Sequence, residues 1–481
     1  MKHNEKDNRN LIYKYNENEV NKTISKIIDN SKNILNLELT PEEYDILTIL
    51  LFTNNQSIFY QSLSTFQSNI RKIKQKILST PKNKLKYKSY SCIFGAFLGD
   101  SMGSYCEFSK PNQNNSNLIF KGKNIFGKPP GQITDDSEMS ISMSYSIMDN
   151  INIINYNSDL AFYYYGTWYY SIPFDIGNTT IDALRNFQYN KFKIGDEILN
   201  KIKIPEKNYL SQANGFLMRL SPFIVWFYYI NENDINSILN SNNKEKYYEL
   251  FHKIKDEGMK DNICTHPCEK NASITAFYVF IGLLSIFDNN HLNIIKKLKI
   301  LLGCDFENIN DIEIRKLTFE IIQIFSESNF NKNEYFKSVM DLIGSYIHGY
   351  ELTLFYLIHL DDYVKDNKYS KYRKIINEIC NYGGDTDTNC AIVGTIIGPI
   401  IGLDNFGEEL NILLDLIPSN RIQYTNGLMF LFIEFLENEK KNNKLSNHNI
   451  DLNEYYMEQY NNVRYYTIKS ILNCLLNDLT F

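Results

Sequence analysis

The chain has no excess of basic residues: 50 Lys and Arg stand against 56 Asp and Glu over 481 residues, a formal net charge of −6. A generic nucleic-acid binder presents a basic surface, so no nucleic-acid partner is expected. None of the eight cysteines forms a C-x-x-C pair. Their scatter suits a reduced protein of the cytoplasm or nucleus better than a disulfide framework. Cys264 and Cys268 bracket His266, but no second pair stands at finger spacing, which argues against zinc. The opening residues MKHNEKDNRN lack the apolar stretch of a secretory signal. The longest apolar runs are about a dozen residues and contain Gly or Pro, too short for a membrane span, so no membrane is expected. Convincing strands are few and no internal repeat is apparent.

What is present is a large apolar fraction, 43%, enough to build the core of one large domain or two to three ordinary ones. The texture divides the chain in three. Residues 1–86 read as a helical N-terminal extension. It includes a helix start at 39–44, L-T-P-E-E-Y, with Thr40 as cap and Pro41 at the first helical position, and a second helical stretch over about 57–79. Residues 87–436 alternate helical apolar patterns with loops rich in Gly, Pro, Asn and Asp. Residues 437–481 read as an exposed linker, to about 450, and a terminal amphipathic helix. One segment is ambiguous. S-E-M-S-I-S-M-S-Y-S-I-M at 137–148 alternates like a strand, yet Met139, Met143 and Ile147 also share one helical face.

The segment 381–394, N-Y-G-G-D-T-D-T-N-C-A-I-V-G, sets two carboxylates against an apolar run. Carboxylates are rarely buried unless something positive compensates them. A plain helix cap is one reading. A calcium loop fails because its sixth and twelfth positions are Cys390 and Ile396. A phosphatase D-x-D-x-T would follow a buried strand, and here a glycine pair precedes. A second such motif, G-Q-I-T-D-D-S-E-M at 131–139, also leads into an apolar helix. Together Thr134, Asp135, Asp136, Asp385, Asp387 and Thr388 offer the oxygen ligands that hard divalent cations take. Gly95, Gly99 and Gly103, and later Gly394, Gly398 and Gly402, recur every four residues and predict two closely packed central helices. Asp100 lies on the first, and Glu107, seven residues on, is a candidate acid, base or ligand. Asn214-Gly215, in N-G-F-L-M-R, is a turn suited to a phosphate, and His266, in T-H-P, is a further candidate.

In order, G-D-S-M-G-S-Y-C-E, T-D-D-S-E-M, N-G-F-L-M-R, T-H-P and G-G-D-T-D-T resemble the motif series of the ADP-ribosylglycohydrolase family, over roughly 88–435. The resemblance implies an all-α fold, a compact orthogonal helical bundle with helical N- and C-terminal extensions. It also implies two Mg²⁺ ions (Mn²⁺ in some members) shared by Thr134, Asp135, Asp136, Asp385, Asp387 and Thr388. Glu107 matches the acidic residue beside the metals, with catalysis falling to Glu107, Asp135 and Asp136. Asn214, Gly215 and His266 match substrate-binding positions, and Asp100 a structural one. The implied activity is removal of ADP-ribose from a modified protein or small molecule by cleavage at the distal ribose. A non-catalytic ADP-ribose-binding module and a different metal-dependent hydrolase of nucleotide-like substrates are the alternatives. The extensions and residues 285–340 have no counterpart in the motif series.

Overall fold

Every long element among the described residues is a helix; the only ladder contacts are two isolated antiparallel bridges, Ser109 with Gly384 and Ala213 with Ser345. The structure, a computed structural model, describes residues 74–150, 152–170, 173–188, 191–366, 368–414 and 425–441, with residues 19, 22, 23, 25, 26, 40 and 43. The all-α expectation therefore holds. Seven helices carry the central packing or border it, labelled in chain order: α1 Leu85–Gly103, α2 Asp135–Met148, α3 Lys244–Asn262, α4 Glu269–Phe287, α5 Tyr346–Ile358, α6 Lys371–Tyr382 and α7 Thr386–Ile401.

The centre is the α1–α7 pair, buried almost end to end. A helix apolar all round belongs inside a large core, and the glycines set how closely these two approach. A Cβ added at Gly95 would lie 2.3 Å from the Gly394 carbonyl oxygen, one at Gly99 2.3 Å from that of Cys390, and one at Gly103 2.4 Å from that of Thr386. From the other side, a Cβ at Gly394 or Gly398 would lie 2.2 Å from the oxygen of Gly95 or Ser91. No side chain fits between the two backbones. Gly402 departs from the predicted stripe: at φ +79° it ends α7 as its C-cap.

The ambiguous segment 137–148 is helical, and its serines show how. The hydroxyls of Ser140, Ser142 and Ser144 donate to the carbonyls of Asp136, Glu138 and Ser140, each at 3.0 Å. Hydroxyls satisfied on their own helix can be buried on any face, so alternation survives in a fully enclosed α2. At 19 residues, α4 is long and apolar enough to cross a membrane, contrary to the reading of the apolar runs as too short. Its apolar window is 89% buried in the bundle, the place of a core helix.

Thr40 caps as expected, and Glu43 completes a reciprocal pair: the Glu43 N–H donates to Thr40 Oγ1 at 3.3 Å and the Thr40 N–H to Glu43 Oε2 at 2.8 Å. Apart from residues 19, 22, 23, 25 and 26, the rest of the N-terminal extension before residue 74, and the terminal helix after 450, lie outside the described residues. The helix Thr425–Lys441 runs on into the stretch read as an exposed linker from 437, and residues 437–440 are half-buried. Apolar Phe430, Phe432, Ile433 and Leu436 anchor it in the core.

Candidate metal centre and active site

Both acidic motifs open helices whose first turns meet at the C-terminal end of α1. Neither motif acts as an ordinary cap: Thr134 and Asp385 hold the N-cap positions of α2 and α7 without a side-chain capping bond. Their side chains turn to each other. Asp100, on α1, accepts the Thr134 N–H at 3.0 Å, the Thr134 hydroxyl at 2.8 Å and the Ser137 hydroxyl at 2.5 Å. It thereby clamps the start of α2 onto α1, a structural role. Thr134 Oγ1 also stands 2.9 Å from Asp136 Oδ2 and 3.4 Å from Asp387 Oδ2.

That crowding tests whether a cation fits. One hydroxyl has one proton to give, yet three carboxylate oxygens surround it. Asp136 Oδ1 and Glu107 Oε2 are buried with no hydrogen-bond partner. Oxygens of Asp100, Asp136 and Asp387 lie within 4.8 Å of one another, and so do oxygens of Glu107, Asp175 and Asp387. Asp387 belongs to both sets, as a bridging ligand would. Among the described residues no lysine or arginine lines the cavity over these groups. The donors are oxygens, two of them orphaned, and no cationic side chain among the described residues lines the cavity to compensate them; a hard divalent cation fits.

The electrostatics agree. Burial first, then neighbouring carboxylates, holds Asp135, Asp136 and Asp387 well above the ordinary carboxylate range. Burial, with Asp175 and Asp385 nearby, pushes Glu107 up to about 10. Asp100 rises to about 6 by burial despite its hydrogen bonds.

The cavity is about 380 Å³, the scale of a small-ligand site. Of the residues singled out in the sequence, Glu107, Asp135, Asp385, Asp387, Thr388, Asn214, Gly215 and His266 line it. Thr134 and Asp136 lie beneath, fully buried. Asn214 Nδ2 donates to Asp385 Oδ2 at 2.8 Å, fixing that carboxylate, and the Asn214 N–H donates to the Gly344 carbonyl at 2.8 Å. Gly215 leaves room for His266: a Cβ there would lie 2.9 Å from the imidazole Cε1. His266 is fully buried, with Nδ1 2.8 Å from Thr265 Oγ1 and Nε2 without a partner. Burial and then Arg219 hold it neutral. Cys264 donates to backbone carbonyls of Ser158 and Lys260 instead of joining His266, and the zinc reading finds no support among the described residues.

Two features escaped the sequence reading. Asp175, in P-F-D-I-G-N-T-T at 173–180, lines the cavity and rises to about 7, through burial and then Asp385. Nothing in the local sequence sets it apart from a solvated aspartate. The second is a fully buried ion pair, Arg219 with Asp261 at 2.8 Å, on α3. Tyr156 and Tyr165 donate to the same carboxylate at 2.8 and 2.6 Å, which satisfies it.

The ADP-ribosylglycohydrolase family model matches residues 81–416. A protein of Acanthamoeba polyphaga mimivirus, named "Putative ADP-ribosyl glycohydrolase L543", is 29% identical over 332 residues, 66% of this chain and 88% of its own. A solved structure titled "ADP-ribosylglycohydrolase-related protein complex" aligns with a TM-score of 0.49 and 16% identity, over 73% of this chain and 98% of that one.

Proposed function

The chain belongs to the ADP-ribosylglycohydrolase family, and on that premise we propose that it is a metal-dependent hydrolase. It removes ADP-ribose from a modified protein side chain or small molecule by cleaving the glycosidic bond at the distal ribose. The observation that carries this reading is the meeting of Glu107, the half-buried Asp175 and carboxylates from the starts of α2 and α7 at one cavity with no cationic side chain among its described lining residues. The catalytic unit is taken as 87–436, flanked by extensions 1–86 and 437–481. A reducing compartment, cytoplasm or nucleus, is the expected setting.

Two Mg²⁺ ions, or Mn²⁺, would be held by Thr134, Asp135, Asp136, Asp385, Asp387 and Thr388, with Asp175 added from its place beside Glu107 and Asp387. When bound, such ions supply positive charge, orient ribose oxygens and acidify water. The remaining work falls to side chains. Glu107 lines the cavity; as the carboxylate, the form bound cations would favour, it takes the proton from the attacking water and passes it to the departing group as the glycosidic bond breaks. The transition state is oxocarbenium-like, and the surrounding carboxylates, Asp135 and Asp136 among them, favour its positive charge. Neutral His266 offers Nε2 to a polar group of the substrate without adding charge. Asn214 holds Asp385 in register, and Gly215 keeps the wall clear.

The test is Asp387→Ala, which removes the carboxylate shared by both oxygen sets. Mg²⁺-dependent release of ADP-ribose from ADP-ribosylated peptides should fall to background while the circular-dichroism spectrum stays helical. Turnover at the unmodified rate overturns the assignment.

A further inference from the structure

The proposed mechanism leaves unused Phe108, the residue directly after Glu107. It is one of the residues lining the cavity, yet it is 58% exposed, so it stands at the rim. It belongs neither to the core nor to the apolar side chains packed on it. Its backbone sits at φ +56°, in the left-handed region. For a bulky residue that is a genuine outlier, and such strain persists where the surroundings over-determine it. Here they do. The Phe108 N–H donates to the Gly384 carbonyl at 2.7 Å, and the Gly384 N–H donates to the Ser109 carbonyl at 3.0 Å. A large apolar ring is thus held in water, in a strained conformation, by hydrogen bonds to the glycine that precedes Asp385. Beside it, Glu107 is 6% exposed and carries the unpartnered Oε2.

The position tells which part of a substrate this ring meets. A modified protein cannot enter a cavity of about 380 Å³. The ribose goes in, and the group bonded across the scissile bond crosses the rim. Glu107 acts at that bond, and Phe108 is its neighbour on the solvent side. We propose that Phe108 is a specificity-determining residue: its ring stacks on the leaving group and favours groups with a flat face, aromatic or planar cationic, over small aliphatic ones. Aromatic faces attract both kinds of partner. The proposal rests on the hydrolase reading.

The experiment compares Mg²⁺-dependent ADP-ribose release from two peptides, one modified through a guanidino group and one through an aliphatic hydroxyl. It uses the full chain as wild type, Phe108→Ala, Phe108→Gly and Phe108→Tyr. Loss of the ring should lower kcat/KM for the guanidino-linked peptide by about three- to tenfold, mainly through KM, the range that stacking contributes. The hydroxyl-linked peptide and the calorimetric affinity for free ADP-ribose should stay within about twofold, and Tyr should keep the preference. Phe108→Gly accepts the left-handed backbone without strain, so a loss shared by Ala and Gly reports the ring and not misfolding. If both peptides respond alike, or neither responds, while the wild type turns over, this inference falls alone. A wild type that releases ADP-ribose from no substrate takes the hydrolase reading down with it.

Discussion

Gly99→Ala is the sharpest test of how the fold positions the site. The new methyl would sit 2.3 Å from the Cys390 oxygen, 2.6 Å from its carbonyl carbon and 3.0 Å from the Ala391 nitrogen, all backbone atoms. Real Cβ contacts do not fall below 3.0 Å and rarely below 3.4 Å, so α1 and α7 must part by about 0.7 to 1.1 Å. Forcing an extra carbon into a closed core costs about 1–3 kcal/mol. Alanine returns about 1 kcal/mol of helix propensity. The net loss is therefore modest, about 0–2 kcal/mol, and a thermal melt should move down by no more than a few degrees. The larger effect lies elsewhere. Asp387 and Thr388 ride on the first turn of α7, just before Cys390, while Asp100, on α1 itself, clamps the start of α2 that carries Thr134, Asp135 and Asp136. Metal sites tolerate ligand displacements of about 0.2 Å, well under the required parting. Mg²⁺ affinity, measured by calorimetry, should fall at least about tenfold, out of proportion to the melt. A variant that melts higher than wild type and binds Mg²⁺ equally well would refute the argument that the two backbones are in contact.

Two further outcomes concern the carboxylates. Asp175 is raised to about 7 and Glu107 to about 10. A carboxyl that binds its proton more tightly when folded contributes stability fully only below its unfolded value of about 4, and that contribution is lost as pH rises through the folded value. The ion-free protein should thus lose stability from about pH 4 upward, and added Mg²⁺ should raise the melting temperature more at pH 8 than at pH 5. Equal increments at the two pH values would contradict the buried like-charge cluster. Asp175→Asn removes one carboxylate from the Glu107–Asp175–Asp387 set and leaves Asp100–Asp136–Asp387 whole. Calorimetry should show one Mg²⁺ step weakened by about tenfold or more and the other retained, as expected for a ligand of a hard cation; two unchanged steps would exclude Asp175 from the site.

The parts legible in the sequence were those whose meaning is local. A glycine every fourth residue has one strong physical reading, and T-D-D and D-T-D before apolar runs declare carboxylates that something must compensate. The rest needed the third dimension. Asp175 stands alone in an irregular segment, and only its proximity to Glu107 and Asp387 distinguishes it from a solvated aspartate. The Arg219–Asp261 pair joins positions far apart along the chain, with nothing local to announce it. Residues 137–148 satisfy both periods at once, and the choice fell to the helix because the serine hydroxyls could be satisfied there while fully enclosed. The helix from Thr425 continues into the stretch read as linker because packing of its apolar face outweighed a polar local composition.

The glycine pair after α6 has a consequence for how this protein could acquire new substrates. Gly383 and Gly384 both hold positive φ, and a Cβ at Gly383 would lie 2.2 Å from the Ser109 oxygen. The doorway at 107–109 and the corner leading to Asp385 are therefore a single stiff part with no slack between them. Pulling the doorway wider to admit bulkier cargo would drag the acid with it and spoil the chemistry behind. Variation in what this scaffold accepts should accordingly arise by exchanging side chains along the threshold, with the length and path of the loop left as they are.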